Sequence, residues 1–225
     1  MAGRLFRNNA NITLPSLATL QAYDSVLAYT NSIPNNTAGL GDLLADYVDG
    51  GGHLVLATYA YSSPWAVAGR ITTSGYTPLL NLGVNDNVSG DLVPTAPADP
   101  IFSGVDFAAL TYFENANFAH PGLDIGATLL ATDGAGVNMI ARNPAGNVVG
   151  LNLFPSAGAI WIGDNSPPLY QLFANALTPQ EVDPVADVPE PATLAIWAVA
   201  GAAGLAVGSR RRRRQKQVAA VARTG

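Results

Sequence analysis

The chain has no cysteine among its 225 residues, and this excludes a disulfide framework, a thiolate metal site and a cysteine nucleophile. Charge is also scarce, at 12% against 48% hydrophobic residues, which excludes a disordered chain and leaves room for one domain with a proper core. Basic residues are nearly missing from the body: up to Ser209 there are four arginines (Arg4, Arg7, Arg70, Arg142) against all sixteen carboxylates, a net charge of −12. A surface of that sign repels nucleic acid and anionic polymers. Met1 to Asn11 has basic residues but no apolar run of seven or more, so no export signal is recognisable there. Because the rest of the chain suits an exported protein, the expectation is that the true start lies upstream of Met1. An unexported remnant is the other explanation, and an in-frame stop codon just before Met1 would favour it.

What the body lacks in positive charge is gathered at the other end. Arg210, Arg211, Arg212, Arg213, Arg214, Lys216 and Arg223 supply seven of the eleven basic residues. Before them, Ala192 to Gly208 is an uncharged run of 17 residues, which as a helix spans roughly 25 Å, enough to cross a bilayer. Five adjacent guanidiniums cannot enter a packed interior without partners, which argues against a buried core helix. At a bilayer centre each would cost roughly 2.5 to 3.5 kcal/mol, so the cluster stays in water and the boundary falls near Gly208. The positive-inside rule then puts Arg210 to Arg214 in the cytoplasm and everything before Pro189 outside. A soluble helix with a nucleic-acid-binding arginine tail is the competing reading.

The order of these parts, Val188-Pro189-Glu190-Pro191, a short run of small residues holding Trp197, then the arginine block, resembles the PEP-CTERM sorting signal of Gram-negative bacteria. The resemblance implies that the chain is held at the inner membrane until an exosortase-type enzyme acts at Pro189, Glu190 and Pro191. The Pro-x-Pro spacing also reads as a stiff extended linker, and an extended segment is what a processing cleft accepts.

In the body, Tyr23 to Thr30 reads as a buried strand. Leu40, Leu43, Leu44, Tyr47 and Val48 recur at helical spacing, with Asn36 or Thr37 placed to cap the helix and Gly50 to Gly52 to stop it. His53 to Tyr59 is the next strand, so a βαβ unit and a partly parallel sheet covered by helices are expected. Ser62 to Asp106 reads as a long irregular excursion with a small hairpin. Three strands follow, Ala127 to Thr132, Val137 to Arg142 and Val148 to Phe154, the first two antiparallel. Leu169, Leu172, Phe173, Ala176 and Leu177 mark a last helix after Pro167-Pro168.

The strand at Tyr23 to Thr30, the Gly41 to Gly52 helix end with its strand, and Asn147 to Pro155 with the final helix resemble the class I glutamine amidotransferase-like fold, flavodoxin-like in topology. That family opens with a strand and helix for which the residues before Tyr23 are too few. The departure again points to a truncated start and to an unpaired sheet edge. The family's activity rests on a Cys, His and Glu set, and the corresponding turn, Thr58 to Ser63, has no cysteine. His53 sits at the opposite end of its strand from the usual crevice and reads as a capping or surface residue. His120 precedes Pro121 in an irregular loop with no identifiable partner. There is no G-x-S-x-G elbow, and Ser62-Ser63-Pro64 reads as turn chemistry. Asp86, Asp91, Asp99 and Asp106 fall in a loop-rich segment, and Asn85, Asn87, Ser89 and Gly90 imitate a calcium loop that would need Glu where Ala96 stands. Thr58, Tyr59, Tyr61 and Asp164 are the candidate ligand crevice, with Tyr29 and Trp161 as further aromatic borders.

These readings divide the chain into an N-terminal segment (1–22), an α/β domain (23–178), an acidic linker (179–188), the sorting signal (189–214) and a cytoplasmic tail (215–225). The function expected is that of an exported, membrane-retained, non-catalytic α/β protein sorted to the cell surface or extracellular matrix. Its partners would be the inner membrane and an exosortase, with an exopolysaccharide or surface matrix as a candidate, and neither nucleic acid, metal nor cofactor. The alternative is a hydrolase acting on a small or glycan-like substrate in the crevice.

Overall fold

The computed structural model describes residues 7–87, 90–112, 117–155 and 166–180. All of these fall in the first of two units, Met1–Gln180 and Glu181–Gly225. A short helix, α1 (Leu17–Leu20), opens with Ser16, whose side chain accepts from the Thr19 N–H. Strand β1 (Ser25–Tyr29) leads into helix α2 (Thr37–Asp49) and strand β2 (His53–Ala57). Asn36 caps α2 by accepting from the Gly39 N–H at 2.8 Å, as expected of an Asn just before an apolar stripe. Gly51, at a φ of 88°, takes the left-handed conformation that turns the chain toward β2.

The excursion that follows is paired with itself. It holds β3 (Leu79–Leu80), β4 (Asn85–Asn87), β5 (Gly90–Asp91) and β6 (Val93–Pro94), then β7 (Thr111–Tyr112), β8 (Asn117–Ala119) and β9 (Gly122–Leu123). β3 pairs with β9, β4 with β8 and β5 with β7, all antiparallel, so 79–91 and 111–123 form one interrupted hairpin. β10 (Thr128–Thr132), β11 (Asn138–Arg142), β12 (Val148–Leu151) and α3 (Ser166–Ala176) complete the fold.

The main sheet has the order β1-β2-β12-β11-β10-β6. β1, β2 and β12 are parallel and the other pairings antiparallel. The result is a mixed α/β sheet with helices on both faces. Leu40, Leu44, Tyr47 and Val48 of α2 pack with Leu54, Leu56 and Val148 on one face. Leu169, Leu172 and Phe173 of α3 pack with Val55, Ala57, Val149 and Leu151 on the other. Leu14, Leu17 and Leu20 extend the α2 layer, so the segment before β1 belongs to this packing.

Several expectations need correcting. The excursion does more than wander: β6 joins the main sheet as its last strand. Pro167 and Pro168 lie inside the first turn of α3 rather than before it, where a helix has no use for their missing N–H groups. His53 is not a surface residue; it is 4% exposed, and its Nε2–H donates to the Ala176 carbonyl at 2.7 Å. It therefore caps the final turn of α3 from the amino end of β2. Among the described residues no helix is long and apolar enough to cross a membrane. The run Ala192 to Gly208, Pro189 to Pro191 and Arg210 to Arg214 lie outside the described residues, as do Trp161 and Asp164.

Two side-chain ties fasten the layers. Arg142 donates from both terminal nitrogens to the two oxygens of Asp99, each at 2.8 Å, joining β11 to the excursion. Asp124, buried, accepts from the Ser74 hydroxyl and the Gly75 N–H. Burial lowers the pKa of His53 from its ordinary 6.5; the Ala176 carbonyl opposes that shift and the charge of Arg142 adds to it. The native state thus binds fewer protons here than the unfolded chain, and the stability held by neutral His53 is present above about pH 6.5 and lost as pH falls below it. Denaturation of the full chain in detergent between pH 8 and pH 5 should show this decline, and His53→Gln should flatten that part of the profile.

Candidate functional site

In open α/β sheets ligands lie beyond the carboxyl ends of the parallel strands, which here are the residues after β1, β2 and β12. The backbone brings these ends together: the Tyr59 N–H donates to the Thr30 carbonyl at 2.8 Å, and the Thr58 N–H to the Leu151 carbonyl at 3.1 Å. Thr58, fully buried, donates its hydroxyl to Asn152 Oδ1 at 2.8 Å. Tyr61 is also in the core, and its hydroxyl donates to the Leu56 carbonyl at 2.6 Å. Burial raises the pKa of both Tyr61 and Tyr59, so neither is an acid–base group near neutral pH.

Tyr61 has space because Gly150 lies opposite it. A Cβ at that glycine would sit 2.8 Å from the Tyr61 hydroxyl and 3.0 Å from Leu79. The floor of the crevice is thus filled by a tyrosine that only a glycine in β12 admits.

Above this floor runs a row of half-exposed rings. Tyr29 meets Phe154 edge-on at 5.6 Å, Phe154 meets Tyr59 at 5.6 Å, and Tyr59 meets Trp65 at 5.3 Å. Each of the three parallel strands supplies one ring near its end. The contacts suit mutual packing, and the exposed Tyr29 offers an apolar shelf. Phe154 and Trp65 were not among the sequence candidates; Phe154 had the signal of an aromatic residue three positions past the end of β12, and Trp65, eight past the end of β2, had none. The Thr30 and Ser62 hydroxyls are buried here without a hydrogen-bond partner, the Thr58–Tyr59 and Ser63–Pro64 peptide bonds are cis, and Asn81 donates to the Ser63 hydroxyl.

The other candidates are placed elsewhere. His53 lies at the far end of β2, about 17 Å of strand from Thr58. His120 lines a shallow depression of about 280 Å³ with Pro121, Ala135, Gly136, Val137 and Asn138, sharing no lining residue with the crevice. Asp99 is held by Arg142, and Asp106 caps a short helical turn by accepting from the Ala108 and Ala109 N–H groups. Asp91 is exposed. Among the described residues no group of three or more His, Asp or Glu side chains is placed to hold a metal ion. The side chains of Asn85, Asp86 and Asn87 lie outside the described set, as does Ser89.

Gly150→Ala should cost about 1 to 3 kcal/mol through overpacking against Tyr61 and Leu79. The same change made with Tyr61→Phe, which removes the nearest atom, should cost less than the two single changes added. Urea denaturation of the four proteins measures this coupling.

Residues 187–214 match the PEP-CTERM protein-sorting motif. No curated protein matches the chain. Among solved structures, a cytoplasmic protein from Salmonella typhimurium is similar at a TM-score of 0.50 and 15% identity, over 75% of this chain and 76% of that one. A thuA-like protein from Bacteroides uniformis is similar at a TM-score of 0.50 and 12% identity, over 76% and 73%. At these identities the likeness is one of fold. The chain therefore joins a PEP-CTERM sorting motif to a mixed α/β body that shares its fold with these two proteins.

Proposed function

We propose that this protein is exported, held at the inner membrane by a single helix at 192–208 and released toward the cell surface or matrix when an exosortase-type enzyme acts at Pro189 to Pro191. In this reading the α/β body is non-catalytic. The observation that carries the sorting role is the match of residues 187–214 to a protein-sorting motif whose three parts each have a physical task. Pro189 and Pro191 keep the recognition segment extended. The uncharged run is just long enough to span. Arg210 to Arg214 anchor the cytoplasmic end, since moving them through the hydrocarbon would cost several kcal/mol each way. The body then lies on the periplasmic side.

Two features support a body without catalysis. The chain has no cysteine for the turn at Thr58 to Ser63, and Thr58 and Tyr61 of that turn are spent on internal hydrogen bonds. The hydrolase alternative needs a nucleophile beside a base. Ser62 is fully buried, and no histidine or carboxylate is hydrogen-bonded to it.

The test uses a tagged full chain and a variant with Pro189, Glu190 and Pro191 replaced by alanine, in a host that has an exosortase. The parent should be shortened and leave the inner membrane, and the variant should stay there at full length. Equal processing of the two would overturn the recognition assignment. Since the chain has no cysteine, single cysteines at Ala186 and Ala219 report topology; the first should react with an impermeant thiol reagent in intact spheroplasts and the second only after lysis.

A further inference from the structure

We infer that His53 and Ser25 form a pH-sensitive latch on the last turn of α3: residues 176–180 stay on the body while the His53 ring is neutral, and that turn alone opens when the ring is charged. The last carbonyls of a helix have no partner within it. Here two of them are taken by side chains of the sheet, Ala176 by His53 Nε2–H at 2.7 Å and Leu177 by the Ser25 hydroxyl at 2.6 Å. One residue earlier the hold is of another kind. Asn175 donates to the carbonyls of Ile101 and Ser103 at 2.9 and 2.8 Å, and Leu172 and Phe173 are buried in the core. None of these groups titrates, so Asn175 marks where an opening from the helix end stops.

The ring is sensitive because of the charge that shares its face of the sheet. Arg142 pairs with Val149 and Val149 with Val55, two residues along from His53, so Arg142 and His53 lie on the same side of the sheet, two strands apart. Arg142 and Asp99 are both largely buried, and Arg142 takes both oxygens of that carboxylate. Among the described residues the other elements around the ring supply no counter-charge. α3 has no charged residue, the exposed Asp24 meets His53 through its backbone carbonyl, and Tyr47 of α2 meets it through a hydroxyl whose pKa burial pushes up to about 12. A protonated His53 is therefore a second buried cation beside one carboxylate that the first already fills.

The end of a helix attracts positive charge, and the Ala176 carbonyl does favour the charged ring, but burial and Arg142 outweigh it. Water is what relieves the charge, and the last turn of α3 is the cover that opens with least loss. Of residues 176–180, Ala176 and Leu177 are the ones packed against the core. Their release leaves every strand of the main sheet paired and the rest of α3 held by Asn175. Residues 176–180 are also the last of the body's compact unit, so the latch decides where that unit ends.

The experiment follows amide exchange of the full chain in detergent at pH 7.5 and pH 5, corrected for the intrinsic effect of pH. The reporters are the Leu177 and Thr178 N–H groups, which donate to the Phe173 and Asn175 carbonyls, and the amides of β12 are the reference for global unfolding. Protection of 177 and 178 should fall by about 5-fold to 30-fold between the two pH values, the upper figure being set by an ordinary histidine pKa in the open turn. At pH 5 it should be at least about tenfold below that of β12 and indifferent to low urea, as a local opening is. His53→Gln, which keeps a donor for Ala176 without a titrating group, should hold the change under about twofold. Ser25→Ala should lower protection at both pH values and leave the pH dependence in place. Equal protection of 177, 178 and β12, with the same response to urea, would show one global event and overturn the latch in the parent chain alone. The same pH dependence in His53→Gln would overturn the role of His53. Neither readout depends on where the protein is sorted.

Discussion

Strand β2 has to be apolar on both faces, and much of the structure follows from that demand. Its five residues are all buried, Leu54 and Leu56 toward α2 and Val55 and Ala57 toward α3. Each such side chain contributes about 1.5 to 3 kcal/mol when taken from water, and none offers a polar atom. Polar groups are therefore displaced to the two ends of the strand, where they must find partners or be costly. At the amino end His53 takes the last carbonyl of α3; at the carboxyl end Thr58 takes Asn152. The helix that leads out of the body and the crevice where α/β ligands usually sit are thus fixed by two ends of one strand.

The same constraint governs what the crevice can be. A catalytic turn needs a side chain raised above the sheet into solvent, with a base beside it. Here the chain after β2 sinks back instead: Tyr61 passes under β12 through the gap left by Gly150, and Tyr59 leans on Phe154 and Trp65. Filling the space with rings stabilises the junction of three strands, and it supports the non-catalytic reading proposed above. The shared fold of the neighbours transfers architecture to this chain without transferring a site, because the site depends on those few residues rather than on strand order.

What could be read in the sequence was what is encoded locally. The stripe from Leu40 to Val48, the Asn36 cap and the glycines after Asp49 specify α2 within about 15 residues, and the helix is found there. The strands at 128–132, 138–142 and 148–151 were legible from apolar runs split by Asp133-Gly134 and Asn143 to Gly146. The sorting motif was fully legible, since a linear signal carries its information in residue order alone. The pairings of the excursion were not. Strands of two or three residues containing Asn, Asp and Pro have no periodicity, and β6 is a strand only because β10 lies next to it. Of the two readings of His53, capping agrees with the structure and surface does not, because nothing near it in sequence shows that Ala176, 123 residues away, ends a helix against it. The row of Tyr29, Phe154, Tyr59 and Trp65 was seen in part, its tyrosines by type and its other members only once three strands had been set side by side.

The two parts of the chain carry different kinds of information. Residues 187–214 match a sorting motif that is read in residue order, and such a signal is indifferent to the body that precedes it. The body is read in three dimensions: the apolar β2, the Gly150 gap that admits Tyr61 and the tie from His53 to α3 each need residues far apart in sequence to meet. A likeness confined to fold therefore says how this body is built and leaves its role to the few side chains at the strand ends.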